Sequence, residues 1–309
     1  MSKVVGIGAN VYDTLYTVPN YPTEDTKMRA ENSVAAGGGP TATGIVAVSK
    51  LGAEAAYIGV LADDAGGCFL KADMEKYGVS TEYTDVYSGY ASFSSCIWLS
   101  REAKSRTCVF FRGNLPALKL DEKKIEAIKN AEILMVDGNE MEAAVEGAKI
   151  ANDSGTKVLY DAGGLYEGVE KLLPHADILI PSEEFSLGHT GAATAEDAAK
   201  ILFDKYSPEV VVITQGKKGG IMYDGKEIKS YPATPAEVID SNGAGDVFHG
   251  AFAFAVTKGY DYYKACIFSS AVSALKCEKL GARAGVPTFS EVIKYLKELG
   301  FDEFKEELE

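Results

Sequence analysis

The chain has 309 residues, 46% hydrophobic and 25% charged, enough apolar material for a sizeable core and no bias toward disorder. Its 45 acidic residues outweigh 31 basic ones for a net charge of -14, which disfavours nucleic acid and anionic membranes as partners but leaves room for a locally basic site that takes a small anion. The five cysteines, Cys68, Cys96, Cys108, Cys266 and Cys277, are odd in number, widely spaced and without a C-x-x-C, so they read as reduced thiols of a cytoplasmic protein and not as a disulfide frame or zinc site.

The start, "MSKVVGIGAN", lacks the basic and long apolar regions of a signal peptide, and no window reaches the length of a membrane span. From there, "KVVGIGA", "AAYIGVL", "EILMVDG", "KVLYDA", "DILIPS" and "VVVITQG" are continuous apolar runs that end in Gly, Asp or Ser. Such runs predict strands buried on both faces of a parallel sheet. Helical patterns fall between them near 39–50, 65–77, 121–129, 140–153 and 194–206. The alternation predicts an α/β fold, a doubly wound sheet with right-handed crossovers. Ligands of such sheets sit at the carboxyl ends of strands, here "DGNE", "DAGG", "PSEE" and "TQGKKGG". Segments 12–36 and 89–111 break the pattern with alternating aromatic and β-branched residues and a polar turn, "SREAKSR". They predict a small accessory sheet able to cover a site, or to serve as a dimer surface. The tail "FDEFKEELE" reads as the solvated end of an amphipathic helix.

Several motifs carry little. "GIGANV" has Val11 where a dinucleotide fingerprint needs its third glycine, and no P-loop occurs. His175, His189 and His249 are too scattered for a metal triad, and no G-x-S-x-G elbow supports a serine nucleophile. "GGGPTATGIVAVSKLG", residues 37–52, is more informative, since one glycine suffices for helix entry and a bare backbone beside a small ligand accounts for the others.

The stretch "DSNGAGDVFHGAFAFAV", Asp240 to Val256, predicts a buried helix of about three turns entered through glycines. At such an entry the unpaired N–H groups and the helix dipole attract anions, so Gly243, Ala244 and Gly245 form a candidate anion cradle. Asp246 has two readings. It is a plain cap, or it is a base that takes a proton from an alcohol while the cradle holds the charge of a transferring phosphoryl group.

Residues 37–52 and 240–252 together resemble the two signatures of the ribokinase-like (PfkB) family of carbohydrate kinases, with Asp13 and "VVVITQGKKGG" in family order. The resemblance covers essentially the whole chain. It implies one ribokinase-like domain over residues 1–309, a three-layer α/β/α sandwich with a mainly parallel central sheet and a small β-sheet lid made from segments 12–36 and 89–111. It implies ATP and Mg²⁺, with K⁺ as a further candidate. By position, Asp246 is the catalytic base and Gly243, Ala244 and Gly245 the anion hole. Asp13, Gly38, Gly39 and Thr43 line the sugar pocket, and Thr214, Gly216 and Gly219 follow the nucleotide phosphates with Lys217 or Lys218 screening charge. The loop 279–287, with Ala282 and Gly285, is expected near the adenine, and the carbonyls of Asp240 and Asn242 are expected at a monovalent cation.

The sequence departs from the family at two places. Thr43 stands where Asn is common, and "PSEEF" puts Ser182 and Phe185 at the ends of the N-x-x-E motif, which leaves Glu183 or Glu184 as substitutes near Mg²⁺. The expected activity is phosphorylation of a primary hydroxyl of a free sugar, a ketohexose such as fructose. Similarity to the sulfofructose kinase branch brings an anionic substrate into view, for which Lys27, Arg29 and Arg112 are candidate clamps, whereas Asn139 argues for a neutral ketose. A nucleoside kinase using lid aromatics such as Tyr12 or Trp98, and a non-catalytic sugar sensor, are the other readings. The partners expected are the sugar and a second copy bound through the lid, with neither nucleic acid nor membrane.

Overall fold

The computed structural model describes residues 3–103 and 105–305. In chain order the elements are β1 (Val4–Ile7), β2 (Val11–Val18), β3 (Asn32–Gly38), α1 (Pro40–Lys50), β4 (Ala55–Ala62), α2 (Ala65–Lys76), β5 (Ser80–Tyr87), β6 (Ser94–Ser100), β7 (Ser105–Phe111), α3 (Glu122–Lys129), β8 (Ile133–Val136), α4 (Met141–Ser154), β9 (Lys157–Ala162), α5 (Val169–Leu172), β10 (Ile178–Pro181), α6 (Glu183–Thr190), α7 (Ala195–Tyr206), β11 (Val210–Thr214), β12 (Gly220–Tyr223), β13 (Ile228–Tyr231), α8 (Ala244–Thr257), α9 (Tyr262–Cys277) and α10 (Phe289–Glu298).

Nine strands form one sheet in the order β13-β12-β11-β10-β9-β8-β1-β4-β5. From β11 to β5 neighbours run parallel, and β12 and β13 extend the other edge antiparallel. The six apolar runs and five helices expected from the sequence are all present. Alternation within each run feeds two cores. Val4, Ile133 and Met135 pack toward α1, α8, α9 and α10, whereas Val5, Leu134 and Val136 pack toward α3, α4 and α7. That two-sided burial explains why the strands carry no polar face.

The two irregular segments meet in a separate sheet of order β3-β2-β6-β7. Its ends are antiparallel pairs and its middle pair, β2 with β6, is parallel. Strand β7 is exposed along its whole length, including Val109, Phe110 and Phe111.

The C-terminal expectation fails in part. Phe304 is fully buried, stacked on Phe268 and edge-on to Tyr260, so residues 301–305 cover the core instead of extending a helix into solvent. Aromatic burial outweighs the acidic neighbours that suggested solvation. Residues 306–309 lie outside the described residues.

Candidate active site

Helix α8 begins at Gly243, whose φ of 74° is left-handed and whose added Cβ would stand 2.5 Å from Ala282 Cβ. Glycine is therefore required there twice over, by conformation and by packing. No side chain caps α8. The same is true of α1, entered from Gly39, of α4, entered from Glu140, and of the one-turn α5, entered from Gly168, while α2, α3, α6, α7, α9 and α10 all carry side-chain caps. Of these, α8 carries Asp246, α1 packs against α8 through Gly44 and Gly250, and α4 follows β8, so the positive ends of their dipoles remain available to an anion.

Asp246 sits in the first turn of α8, half-buried. Burial, with Asp137 nearby, raises its carboxyl above the ordinary range against the pull of His249. His249, one turn further on, is buried with Nδ1 2.6 Å from Gly245 O and Nε2 2.9 Å from Ile180 O. Its Nδ1 also lies 3.2 Å from Asp161 Oδ2. This histidine is structural, as its isolation in the sequence suggested, and it ties the aspartate's helical turn to the ends of β9 and β10.

Two glycines bring the second signature to the first. A Cβ on Gly250 of α8 would stand 2.1 Å from Gly44 O of α1, and one on Gly44 would stand 3.2 Å from Asp246 O. The helices touch backbone to backbone, which sets Thr43 beside the turn that carries Asp246. Thr43 Oγ1 is buried without a hydrogen-bond partner among the described residues.

The glycine triplet has a more exact account than ligand access. A Cβ on Gly37 would strike Arg283 Nη1 at 2.1 Å, one on Gly38 would strike Asp13 Oδ2 at 2.0 Å, and Gly39 has φ 91° with Ala9 O 2.4 Å from its missing Cβ. Two of the three therefore make room for buried charges of the protein itself. Asp13 is buried, accepts from Ser95 Oγ at 2.6 Å, and is pushed up to about 6 by desolvation, partly offset by Ser95 and Arg283.

A cavity of about 280 Å³ is bounded by Asn10, Arg112, Asn139 and Glu140 among others, while Asp13, Gly38, Gly39 and Thr43 are not in its lining. Asn139 donates to Asp137 Oδ1 at 3.1 Å, and Arg112 donates to Asn139 O at 2.8 Å while lying over the Phe93 ring. Burial raises the Glu140 carboxyl, opposed by Arg112. Lys27 and Arg29, in contrast, are exposed on the connection between β2 and β3.

A groove of about 580 Å³ runs past Thr214, Gly216, Lys217, Gly219, Ser241, Ala244 and Gly245, the last two directly before Asp246. Its floor is apolar, with Ala233, Val238, Phe248 and Ala274, and suits a flat base. Ala282 and Gly285 are not in this groove. Ala282 packs beneath Gly243, and the missing Cβ of Gly285 lies 2.8 Å from Gly281 O and 2.9 Å from Lys276 O.

At "PSEEF", Ser182 caps α6 through its hydroxyl and Phe185 is core. Glu183 accepts from Gln215 Nε2 at 2.7 Å and faces Lys218 Nζ at 3.8 Å, whereas Glu184 is exposed. Among the described residues no group of three or more His, Cys, Asp or Glu is arranged to hold a metal. Mg²⁺ fits this groove only as an ion carried on phosphate oxygens, with Glu183 the near carboxylate.

The carbonyls of Asp240 and Asn242 are already engaged. Lys276 Nζ, fully buried, donates to Asp240 O at 2.7 Å and to Asn242 O. From the small sheet, Arg106 Nη1 reaches Asn242 Oδ1 at 3.0 Å.

The pattern of the pfkB family carbohydrate kinases matches residues 1–289. The chain belongs to that family. It is therefore a sugar phosphotransferase of ribokinase-like α/β fold. The ribokinase of Haemophilus influenzae is 26% identical over 298 residues, covering 94% of this chain and 97% of that one. A candidate ribokinase from Agrobacterium tumefaciens superimposes with a TM-score of 0.91 at 27% identity, covering 98% of this chain and 99% of that one. The fold is also that of the Arabidopsis thaliana ribokinase solved with ribose and ATP, with a TM-score of 0.86 at 24% identity over 96% of this chain and 99% of that one.

Within this pfkB protein, sequence reasoning missed Asn10, Glu140, Arg106, Lys276 and Arg283. Glu140 was visible as the last residue of the strand-end "DGNE". Arg283 donates to Asp73 Oδ2 at 2.9 Å, Asn10 Oδ1 at 2.7 Å and Gly38 O at 2.6 Å, partners far apart in sequence that leave no local signal.

Proposed function

We propose that the protein transfers the γ-phosphoryl group of ATP to a primary hydroxyl of a neutral ketohexose such as fructose. The observation that supports this best is the place of Asp246, directly after the groove-lining Ala244 and Gly245 and within electrostatic reach of Asp137, which holds Asn139 at the edge of the polar cavity. ATP supplies the phosphoryl group, and Mg²⁺ on its phosphates offsets their charge. Asp13 and Thr43 orient the sugar through its hydroxyls, and Asp246 accepts the proton of the attacking hydroxyl. The N–H groups of residues 243–245 hold the charge that develops on the equatorial oxygens, while Arg106 stands over the same loop. The sheet β3-β2-β6-β7 acts as the lid that excludes water, and the apolar exposed strand β7 supports pairing with the lid of a second copy.

A neutral sugar is favoured over a sulfonate because the one arginine in the cavity, Arg112, is opposed by Glu140 and engaged by Asn139, while Lys27 and Arg29 stand in solvent. A nucleobase is disfavoured because the rings are already engaged, Tyr12 edge-on to Phe69 of α2 and Phe93 against Phe110 of the lid. The test is sugar-dependent ADP release with Mg²⁺-ATP across fructose, tagatose, psicose, ribose, sulfofructose, 2-keto-3-deoxygluconate and adenosine. Turnover on a ketohexose above the others is expected; preference for the sulfonate or adenosine would replace this reading, and silence with intact ATP binding would favour the sensor.

A pH dependence accompanies it. Asp13 must be ionised to accept from two sugar hydroxyls, and its carboxyl is raised to about 6. Protonation on the acid side therefore removes sugar binding, so kcat/KM for the sugar is expected to fall by about tenfold per pH unit below that value. A profile that stays flat to the ordinary carboxylate range would remove Asp13 from sugar recognition.

A further inference from the structure

The family resemblance placed a free monovalent cation on the carbonyls of Asp240 and Asn242, and the residues present do not fit one. Both oxygens accept hydrogen bonds from Lys276 Nζ, and the Asp240 carboxylate is 4.0 Å from the same nitrogen. That carboxylate is itself fixed, accepting from Asn242 N and Gly281 N at 2.8 Å each. Lys276 has no exposed surface, so this contact is not a surface lysine resting on a loop. A buried ammonium needs acceptors for its three protons, and main-chain carbonyls supply them as they supply the coordination of a desolvated K⁺ ion. A second cation on the same oxygens would face the ammonium at contact distance, and the Asp240 carboxylate beside it is already committed to two main-chain N–H groups.

We propose that Lys276 is a tethered substitute for the monovalent cation, and that this protein works without K⁺. Its ammonium clamps residues 240–242, the segment that leads into Gly243, and so holds the anion loop in the shape that presents its N–H groups to phosphate. Lys276 is thus a positioning residue that acts through the loop and not on the substrate. The positive charge at the foot of the loop adds to the dipole of α8. The role in phosphate handling rests on the function proposed above; occupancy of the cation position does not.

Two readouts separate the claims. In the wild type, replacing K⁺ by choline at equal ionic strength is expected to leave both Tm and turnover unchanged. In Lys276→Ala, which vacates the carbonyls, Tm in choline falls and K⁺ or NH₄⁺ raises it again, as ligand binding to the folded state alone requires. Turnover of the same variant in choline falls about tenfold or more and is restored by K⁺ or NH₄⁺, because displaced anion-hole donors lose transition-state contacts. A wild type whose Tm or turnover depends on K⁺ overturns the proposal. So does a Lys276→Ala variant that matches the wild type in choline, or one whose losses neither ion restores. Should Lys276→Ala fail to fold in choline, refolding in K⁺ or NH₄⁺ supports the proposal, failure in all three overturns it, and Lys276→Gln repeats the comparison with less volume removed. A Tm response to K⁺ in the variant without sugar turnover in any protein would keep the cation assignment and reject the kinase reading instead.

Discussion

Asp246→Asn is expected to lower kcat about 100-fold or more while leaving Tm and the binding of ATP and sugar nearly unchanged, the effect of removing a positioned base. Asparagine keeps the shape and can still accept a hydrogen bond from the sugar, but it cannot take the proton. The neighbours of the carboxylate give the sign of the pH effect. Burial and Asp137 favour its protonated form, so the base is lost on the acid side at a higher pH than for a free carboxylate. In the wild type the acid limb of kcat is then set by Asp246 in the complex, and that of kcat/KM also carries Asp13. Single-turnover kinetics would measure the chemical step directly, and near-normal turnover in the mutant would leave Asp246 as no more than a helix-start residue. His249 and Asp161 make the test clean. His249 is held between the carbonyls of Gly245 and Ile180, and Asp161 accepts from Gly163 N and lies 3.2 Å from His249 Nδ1, so the turn that presents residue 246 has anchors besides its own carboxylate.

The sequence made the frame legible because its signals are local. Continuous apolar runs such as "EILMVDG" and "VVVITQG" report burial on two faces, and the glycines before α1 and α8 report places where a side chain does not fit. What was not legible depends on residues that meet only in the fold. Gly37 and Gly38 read as ligand access, but they accommodate Arg283 and Asp13, and neither partner is near them in sequence. Lys276 carries no local signal, and its role emerges only when α9 is packed against the 240–242 segment. The family resemblance implies that Ala282 and Gly285 stand near the adenine; in the fold neither lines the groove, and Ala282 packs on Gly243. Lys27 was chosen for charge alone, and charge on a loop is usually spent in water.

Gly250→Ala offers the sharpest test of how the two signatures are held together. In the middle of an ordinary helix this change stabilises by about 1 kcal/mol, since alanine loses less backbone freedom than glycine. Here the new methyl carbon would lie 2.1 Å from Gly44 O and 2.7 Å from Gly44 Cα, both backbone atoms of a neighbouring helix that cannot rotate aside. Overpacking of that kind costs about 1–3 kcal/mol, so the sign reverses and a lower Tm is expected. The larger effect is on rate. Helices α1 and α8 must part to accept the methyl, which moves Thr43 relative to Asp246, and a shift near 1 Å between sugar and base costs about 100-fold in turnover. Gly245→Ala is the control, because its Cβ meets nothing within 4 Å and should leave Tm unchanged or raised. If Gly250→Ala were as stable and active as the wild type, the contact between α1 and α8 would not be what brings the sugar pocket and the anion loop together. If it lost turnover while keeping its Tm, the helix pair would be compliant in energy and still exacting in geometry.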